Sequence, residues 1–345
     1  MADGGGRQRR AFIGSFTAAG GPGIVTAVVV PETGALVPLR EIDVLPDPSY
    51  LALAPDGGTL YAVSETPDGA VAAYRVTDDK PQLAGRPVPV GGAGPTHLGL
   101  FDGHVLTANY GSGSVSAVPV RSDGSLAGAP SGVLRHTGSG PHTRRQQGPH
   151  AHQVQADPSG RWVVSVDLGT DSVRVCTLGA EGRLALRRET ALRPGSGPRH
   201  LAFHPGGGHA YVLNELTPTV TVCRWDAAEG LLKPLTETGV LVDAPAGDAY
   251  PSGIAVSPDG RFVWTATRGE DVISVLAVDG DALRLVATVS CGGHWPRALT
   301  ESEGILYVAN ERSGDVTWFR VDPGTGLPRR GGSIPVAAAS CVVIG

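Results

Sequence analysis

Cysteine is scarce in this sequence, and its four copies, Cys176, Cys223, Cys291 and Cys341, lie far apart with no Cys-x-x-Cys pair among them. That spacing excludes a zinc ribbon or a thioredoxin-type site and leaves the thiols as small core residues. A surplus of positive charge is also missing. With a formal net charge of -5 and 18% charged residues, the chain has no basic stripe for nucleic acid or for an anionic membrane surface. No apolar run approaches the roughly 18 residues of a spanning helix. The Gly- and Arg-rich start, Met1 to Arg10, leads into Ala11-Phe12-Ile13-Gly14-Ser15, which is too short and too interrupted for the apolar region of a secretion signal. The expectation is a cytoplasmic protein, monomeric or weakly self-associating, with a flexible tail over residues 1–10 and one domain over 11–345. Walker A, Rossmann and G-x-S-x-G signatures are absent too, and Gly111-Ser112-Gly113 reads as a turn between strands. No cofactor is implied.

What the chain has in quantity is turn residues, 50 Gly and 28 Pro, set between apolar, β-branched runs rather than clustered. They mark a repeat. Pro48, Pro95, Pro149, Pro198, Pro251 and Pro296, spaced by 47, 54, 49, 53 and 45 residues, each begin the same phrase. It consists of a short apolar run, a Pro-Asp-Gly-like turn, a second apolar strand ending in small polar residues, and an alternating strand. In the unit at Pro198 this gives strands over 199–203, 210–214, 219–225 and 232–241, with no helical periodicity.

A period near fifty with four strands per unit is that of a propeller blade. The N-terminal runs at 11–15, 23–30 and 35–45 supply a unit without its first strand, and Ala339 to Ile344 supplies that strand from the other end. The fold expected is all-β, a seven-bladed β-propeller of four-stranded antiparallel blades, closed by pairing of the C-terminal strand with the N-terminal blade.

In such a ring the start of each first strand and the end of each second strand open on one mouth. The starts read Ser49, Thr96, His152, Arg199, Ser252 and Arg297; the ends read Ser15-Phe16, Ser64-Glu65, Asn109-Tyr110, Asp167-Leu168, Asn214-Glu215, Thr267-Arg268 and Asn310-Glu311. Small polar residues suffice to bond turn backbone at these places. His152, Arg199, Arg268, Arg297 and the acids Glu65, Glu215 and Glu311 exceed that need. His97 and His200 each follow a start by one residue, and His150 precedes His152 by two, so on an extended strand both imidazoles would point the same way. Arginines, acids and histidines at one mouth describe a pocket for a small anionic ligand with acid/base capacity. The plain alternative is a wet channel plugged by polar pairs. A metal held by His150, His152 and His97 or His200 is the weaker reading, since the arginines would repel a cation. The stretch Thr143 to Gln147 is an enlarged loop over the same mouth.

The phrases Gly148-Pro149-His150-Ala151-His152, Asp167-Leu168-Gly169-Thr170-Asp171, Gly197-Pro198-Arg199-His200-Leu201-Ala202-Phe203-His204-Pro205, Asn214-Glu215-Leu216 and Arg268-Gly269 resemble the lactonase family of seven-bladed propellers. That family includes propeller-type 6-phosphogluconolactonases and a fungal carboxymuconate cycloisomerase. The resemblance implies a sugar-lactone hydrolase, with His152, Arg199, Glu215 and Arg268 as catalytic residues. The mouth positions and the enlarged loop add His97, Asn109, Arg145, Gln147, His150, Asp167, His200, Arg297 and Glu311 as expected substrate contacts, with no metal. Glu215 or His152 would take the proton of water, and Arg199 would face the carbonyl oxygen. Two family carboxylates are missing, at Ser252-Gly253 and at Gln147 in Arg145-Gln146-Gln147. A cycloisomerase acting on an unsaturated dicarboxylate is the rival enzyme, and a scaffold for protein partners the rival from another class.

Overall fold

A computed structural model describes residues 9–345; residues 1–8, most of the expected tail, lie outside the described residues. Arg10 already belongs to the first strand, Arg10–Ser15. The described chain is folded as seven antiparallel sheets, the blades of a seven-bladed propeller. In the fifth blade the strands run Pro198–Phe203, His209–Asn214, Thr219–Asp226 and Leu231–Gly239 from the inside outward. The others follow the same order, except that the outer strand of the second blade is split into Gln82–Leu83 and Val88–Pro89. A three-residue 3₁₀ turn at Thr17–Ala19 is the one helical piece among the described residues. None of their helices is long and apolar enough to cross a membrane.

The ring is closed by the chain ends. Ala339–Ile344 is the innermost strand of the first blade and pairs Ala11 with Ile344, Phe12 with Val343 and Ile13 with Val342. This pairing removes the open edge that a linear array of sheets would leave.

Hydrophobic burial explains why the blades stack. Tyr211, Val212 and Leu213 in the second strand of the fifth blade are all fully buried, because both faces of the sheet meet a neighbouring blade. The buried side chains accordingly fall into seven clusters, each shared by two consecutive blades. Aromatic side chains latch several of these seams. Tyr61 Oη donates to Gly124 O (3.0 Å), Trp162 Nε1 to Ala227 O (2.8 Å), Trp264 Nε1 to Gly326 O (2.8 Å) and Tyr307 Oη to Gly34 O (3.0 Å). With the apolar core distributed around the ring, the channel is left free for polar groups.

The innermost strands share an irregularity that matters more than their length. In six blades the ladder with the second strand slips by one residue near the start, leaving Ser340, Thr96, His152, Arg199, Ser252-Gly253 and Arg297 at the bulge. A bulged residue has no ladder partner, and its side chain is re-aimed. In the sixth blade the second bulged position must be glycine, since a Cβ on Gly253 would lie 2.6 Å from the backbone nitrogen of Leu299.

Candidate functional site

The ladders also separate the two members of each second-strand pair. Asn109, Asp167, Asn214 and Asn310 are the last residues held in register, and their side chains turn into the blade. Asn109 Nδ2 donates to Ser114 Oγ (3.1 Å) and Ser116 Oγ (2.8 Å). Asp167 accepts from the backbone nitrogens of His150 (2.9 Å) and Thr170 (3.1 Å), from Arg174 Nη1 (2.9 Å), and pairs with His136 Nδ1 (2.6 Å). The expectation that Asn109 and Asp167 touch substrate is therefore corrected. Strand alternation assigns them to bracing the blade, and in the third and fifth blades the residue one further on, Tyr110 or Glu215, meets Arg145 at the mouth.

Those next residues, together with the bulged ones, build a charged cluster. Glu215 stands at its centre, with Arg145 Nη2 2.5 Å from Oε1, and Arg199 Nε (3.1 Å) and Arg268 Nη2 (2.8 Å) beside Oε2. The carboxylate is buried, as are Arg199 and Arg268. Burial by itself would raise its pKa, but Arg268, Arg199 and Arg145 outweigh that and hold it well below the usual carboxylate range. Arg199 Nε and Arg268 Nη2 both converge on Glu215 Oε2, so two guanidinium groups share one carboxylate oxygen at this point. Burial, followed by the charge of Arg268, pulls the Arg199 guanidinium down to about 9, which still leaves it a cation at neutral pH. Arg268 is flanked by the rings of Tyr250 and Trp295, at 5.9 and 5.7 Å from their centroids, a favourable setting for a partly desolvated cation.

Across the mouth a second group forms around Arg297. Its Nη2 lies 3.4 Å from Glu65 Oε1 and its Nη1 3.3 Å from Glu311 Oε2, with the guanidinium 4.6 Å from the centroid of Phe16. Ser49 Oγ donates to Glu65 Oε2. These side chains are more open than Glu215, at 18 to 24% exposure against 4%.

Imidazoles line the wall between. His152 meets His200 edge-on at 5.2 Å, His200 meets His97 at 5.4 Å, and His97 packs on Tyr50 at 4.0 Å. Burial and then the charge of Arg199 push all three down, His97 to about 3, and each is a neutral imidazole at pH 7. The Nδ1 atoms of His152 and His97 are buried without a partner. His150 and His152 both meet the ring of Tyr110, His152 edge-on at 5.5 Å, but their backbone settings differ. The bulge at His152 breaks the alternation, and His150 precedes the strand, stacked on Tyr110 at 4.4 Å with Nδ1 donating to Tyr110 O (2.9 Å). Among the described residues no group of three His, Cys, Asp or Glu side chains is arranged to hold a metal ion.

The loop before His150 delivers Arg145 and is pinned by the residue next to it. Gln146 Nε2 donates to Leu168 O (2.8 Å) and Asp171 Oδ1 (2.7 Å), while Gln147 is exposed at the surface. Asp171 Oδ1 also accepts from Gly197 N (2.7 Å), whose φ of +60° favours glycine, and so ties the loop to the segment that presents Arg199. Of the expected site residues, His152, Arg199, Glu215, Arg268, Arg145, His97, His200, Arg297 and Glu311 lie at this mouth. It gave no part to Tyr110, Phe16, Tyr250 and Trp295. Tyr110 and Phe16 occupy the same repeat position as Glu215, and that position was the available signal. A cavity of about 700 Å³, lined by Arg10, Leu53, Asp56 and Ile344 among others, borders the imidazole wall through Tyr50, which also packs on His97.

The sequence model of the family described as "Lactonase, 7-bladed beta-propeller" matches residues 10–344. The chain belongs to this lactonase family. Among its relatives, the 6-phosphogluconolactonase of Bacillus subtilis (strain 168) is 35% identical over 323 residues, 91% of this chain and 92% of that protein. The 6-phosphogluconolactonase of Pectobacterium carotovorum is 31% identical over 308 residues, covering 85% and 86%. The solved structure of the periplasmic gluconolactonase of Pseudomonas aeruginosa superposes with a TM-score of 0.88 at 30% identity, over 97% of this chain and 98% of that one. Within the lactonase family, this chain's polar groups are concentrated at one end of the channel, and the bulges are what present them.

Proposed function

We propose that this protein hydrolyses a sugar lactone, with 6-phosphogluconolactone as the substrate of choice, at the charged end of its channel. The observation that carries the reading is His152, a neutral, buried imidazole with Nδ1 unpartnered, close enough to the Arg199 guanidinium to feel its charge. The relatives named 6-phosphogluconolactonase and gluconolactonase support the same chemistry.

In this mechanism His152 takes a proton from water as the water oxygen attacks the lactone carbonyl carbon. The carbonyl π electrons move onto its oxygen, where Arg199 faces the developing charge. The C–O bond to the ring oxygen then breaks, and His152 returns the proton to that oxygen, giving the open hydroxy acid. Positioned proton transfer contributes about 100 to 10,000-fold in rate, and a preorganised oxyanion donor about 3 to 4 kcal/mol. Glu215 is poorly suited to be the base, because three arginines keep it ionised and occupied. Its negative charge instead favours the imidazolium that forms on His152, opposing the effect of Arg199. Arg268 and Arg145 hold the anionic group of the substrate; guanidinium geometry suits phosphate. Four free, buried cysteines fit a reducing compartment and support a cytoplasmic location.

The test is a substrate panel of 6-phosphogluconolactone, gluconolactone and carboxymuconate, run on the wild type and His152→Ala. Opening of the sugar lactones well above the buffer rate, lost in the variant, is the expected result. No acceleration over buffer rejects the reading, and loss of a muconate chromophore without lactone hydrolysis replaces it with a cycloisomerase.

A further inference from the structure

The two charged groups at the mouth carry opposite net charge. Arg145, Arg199 and Arg268 against Glu215 leave two positive charges on the side of the fourth to sixth blades. Arg297 against Glu65 and Glu311 leaves one negative charge on the side of the seventh, first and second blades. The ion pairs of the second group are also loose, with Glu65 Oε2 held by Ser49 Oγ instead. Its contacts of 3.3 and 3.4 Å are longer than a strong charge-assisted hydrogen bond of about 2.8 Å, and its side chains are partly open to water.

A δ-lactone phosphorylated on its terminal carbon has a matching asymmetry. The carbonyl carbon and the carbon bearing the phosphorylated arm flank the ring oxygen, so carbonyl and phosphate lie along one edge of the ring. The three ring hydroxyls lie along the other. We propose that Glu65, Arg297 and Glu311 form a hydroxyl-reading subsite for the polyol edge of the substrate, while Arg145 and Arg268 take the phosphate. Carboxylates accept from hydroxyl O–H groups and the guanidinium between them donates to hydroxyl oxygens, an arrangement suited to adjacent hydroxyls. A phosphate placed there would meet two carboxylates for one arginine. Phe16, beneath Arg297, supplies an apolar backing and limits where that guanidinium can move.

The inference rests on the lactonase reading, and the experiment separates the two. Wild type, Glu65→Gln, Glu311→Gln and Arg268→Gln are assayed on 6-phosphogluconolactone, on gluconolactone and on δ-valerolactone, which has the ring but no hydroxyls. In either glutamine variant of the acids, the preference for gluconolactone over δ-valerolactone in kcat/KM should fall by about tenfold or more, the scale of a hydrogen bond to a charged group. The preference for the phosphorylated over the plain sugar lactone should stay within about threefold, and Arg268→Gln should show the reverse pattern. Should the acid variants fail to fold, the wild type still decides. Inorganic phosphate and sorbitol, tested together as inhibitors, should bind at the same time. Mutually exclusive inhibition, or acid variants that shift phosphate preference and spare hydroxyl discrimination, overturns the subsite. A wild type inert to every lactone overturns the lactonase reading instead.

Discussion

The fifth and seventh blades end their channel strands with the same residues, an arginine at the bulge and an Asn-Glu pair at the end of the second strand, Arg199 with Asn214-Glu215 and Arg297 with Asn310-Glu311. Their environments nevertheless differ. Glu215 is buried under Arg145 from the preceding loop and Arg268 from the following blade, while Glu311 is met by Arg297, which itself reaches Phe16 and Glu65, and stays partly open. Chemical character at this mouth is therefore set by what adjacent blades contribute, more than by what a blade carries itself.

The sharpest way to break that comparison is to truncate the equivalent residues. His152→Ala should lower kcat on a sugar lactone by about 100 to 10,000-fold, and Arg199→Ala by about 100 to 1,000-fold. Arg297→Ala should act mainly on KM. Equal losses of kcat from the two arginine variants would erase the distinction between the blades. Opening the ring tests the same contrast through stability. Deletion of residues 338–345 removes the innermost strand of the first blade and should lower the melting temperature by about 10 °C or more, with protease cleavage appearing first in the first and seventh blades. A truncated chain that melts with the wild type would refute closure.

A smaller effect is expected from Arg145→Gln, which removes one of three cations around Glu215. Preference for the phosphorylated lactone should drop by roughly tenfold in kcat/KM ratio, as for loss of one charged hydrogen bond. The imidazole wall gives a pH signature. His97, His152 and His200 are held neutral in the folded protein, so below about pH 6.5 the unfolded chain binds protons that the folded chain does not. Stability should be level above that pH and fall as acid is added, by roughly 1 kcal/mol per pH unit for each histidine, as read from urea melts. His200→Gln should reduce the slope. The same depression predicts no acid limb near pH 6.5 in kcat/KM after subtraction of spontaneous lactone opening. Gln147→Ala, at an exposed position, should leave kcat/KM within about twofold.

The blade count, the closing strand at 339–344 and the mouth positions were legible in the sequence because the Pro-to-turn phrase recurs and a ring has one way to close. The spacing of 54 residues between Pro95 and Pro149 likewise marked the insert that delivers Arg145. The roles within a pair were not legible. Which of Asn109 and Tyr110, or of Asp167 and Leu168, faces the channel depends on where the ladder stops, and that is a property of strand pairing rather than of residue type. The different contacts of His150 and His152 on Tyr110, one stacked and one edge-on, were not legible for the same reason, since alternation counts residues correctly only where no bulge intervenes.

Those bulges have a consequence for how such a site can change. A residue outside the hydrogen-bond ladder can be replaced without shifting the strand that carries it. Thr96, Ser252 and Ser340 are small polar versions of the places held by His152, Arg199 and Arg297, with Ser252 Oγ donating to Pro296 O of the next blade. The mouth is in this sense a ring of interchangeable sockets, and a new specificity could be fitted by altering one socket at a time while the scaffold around it stays as it is.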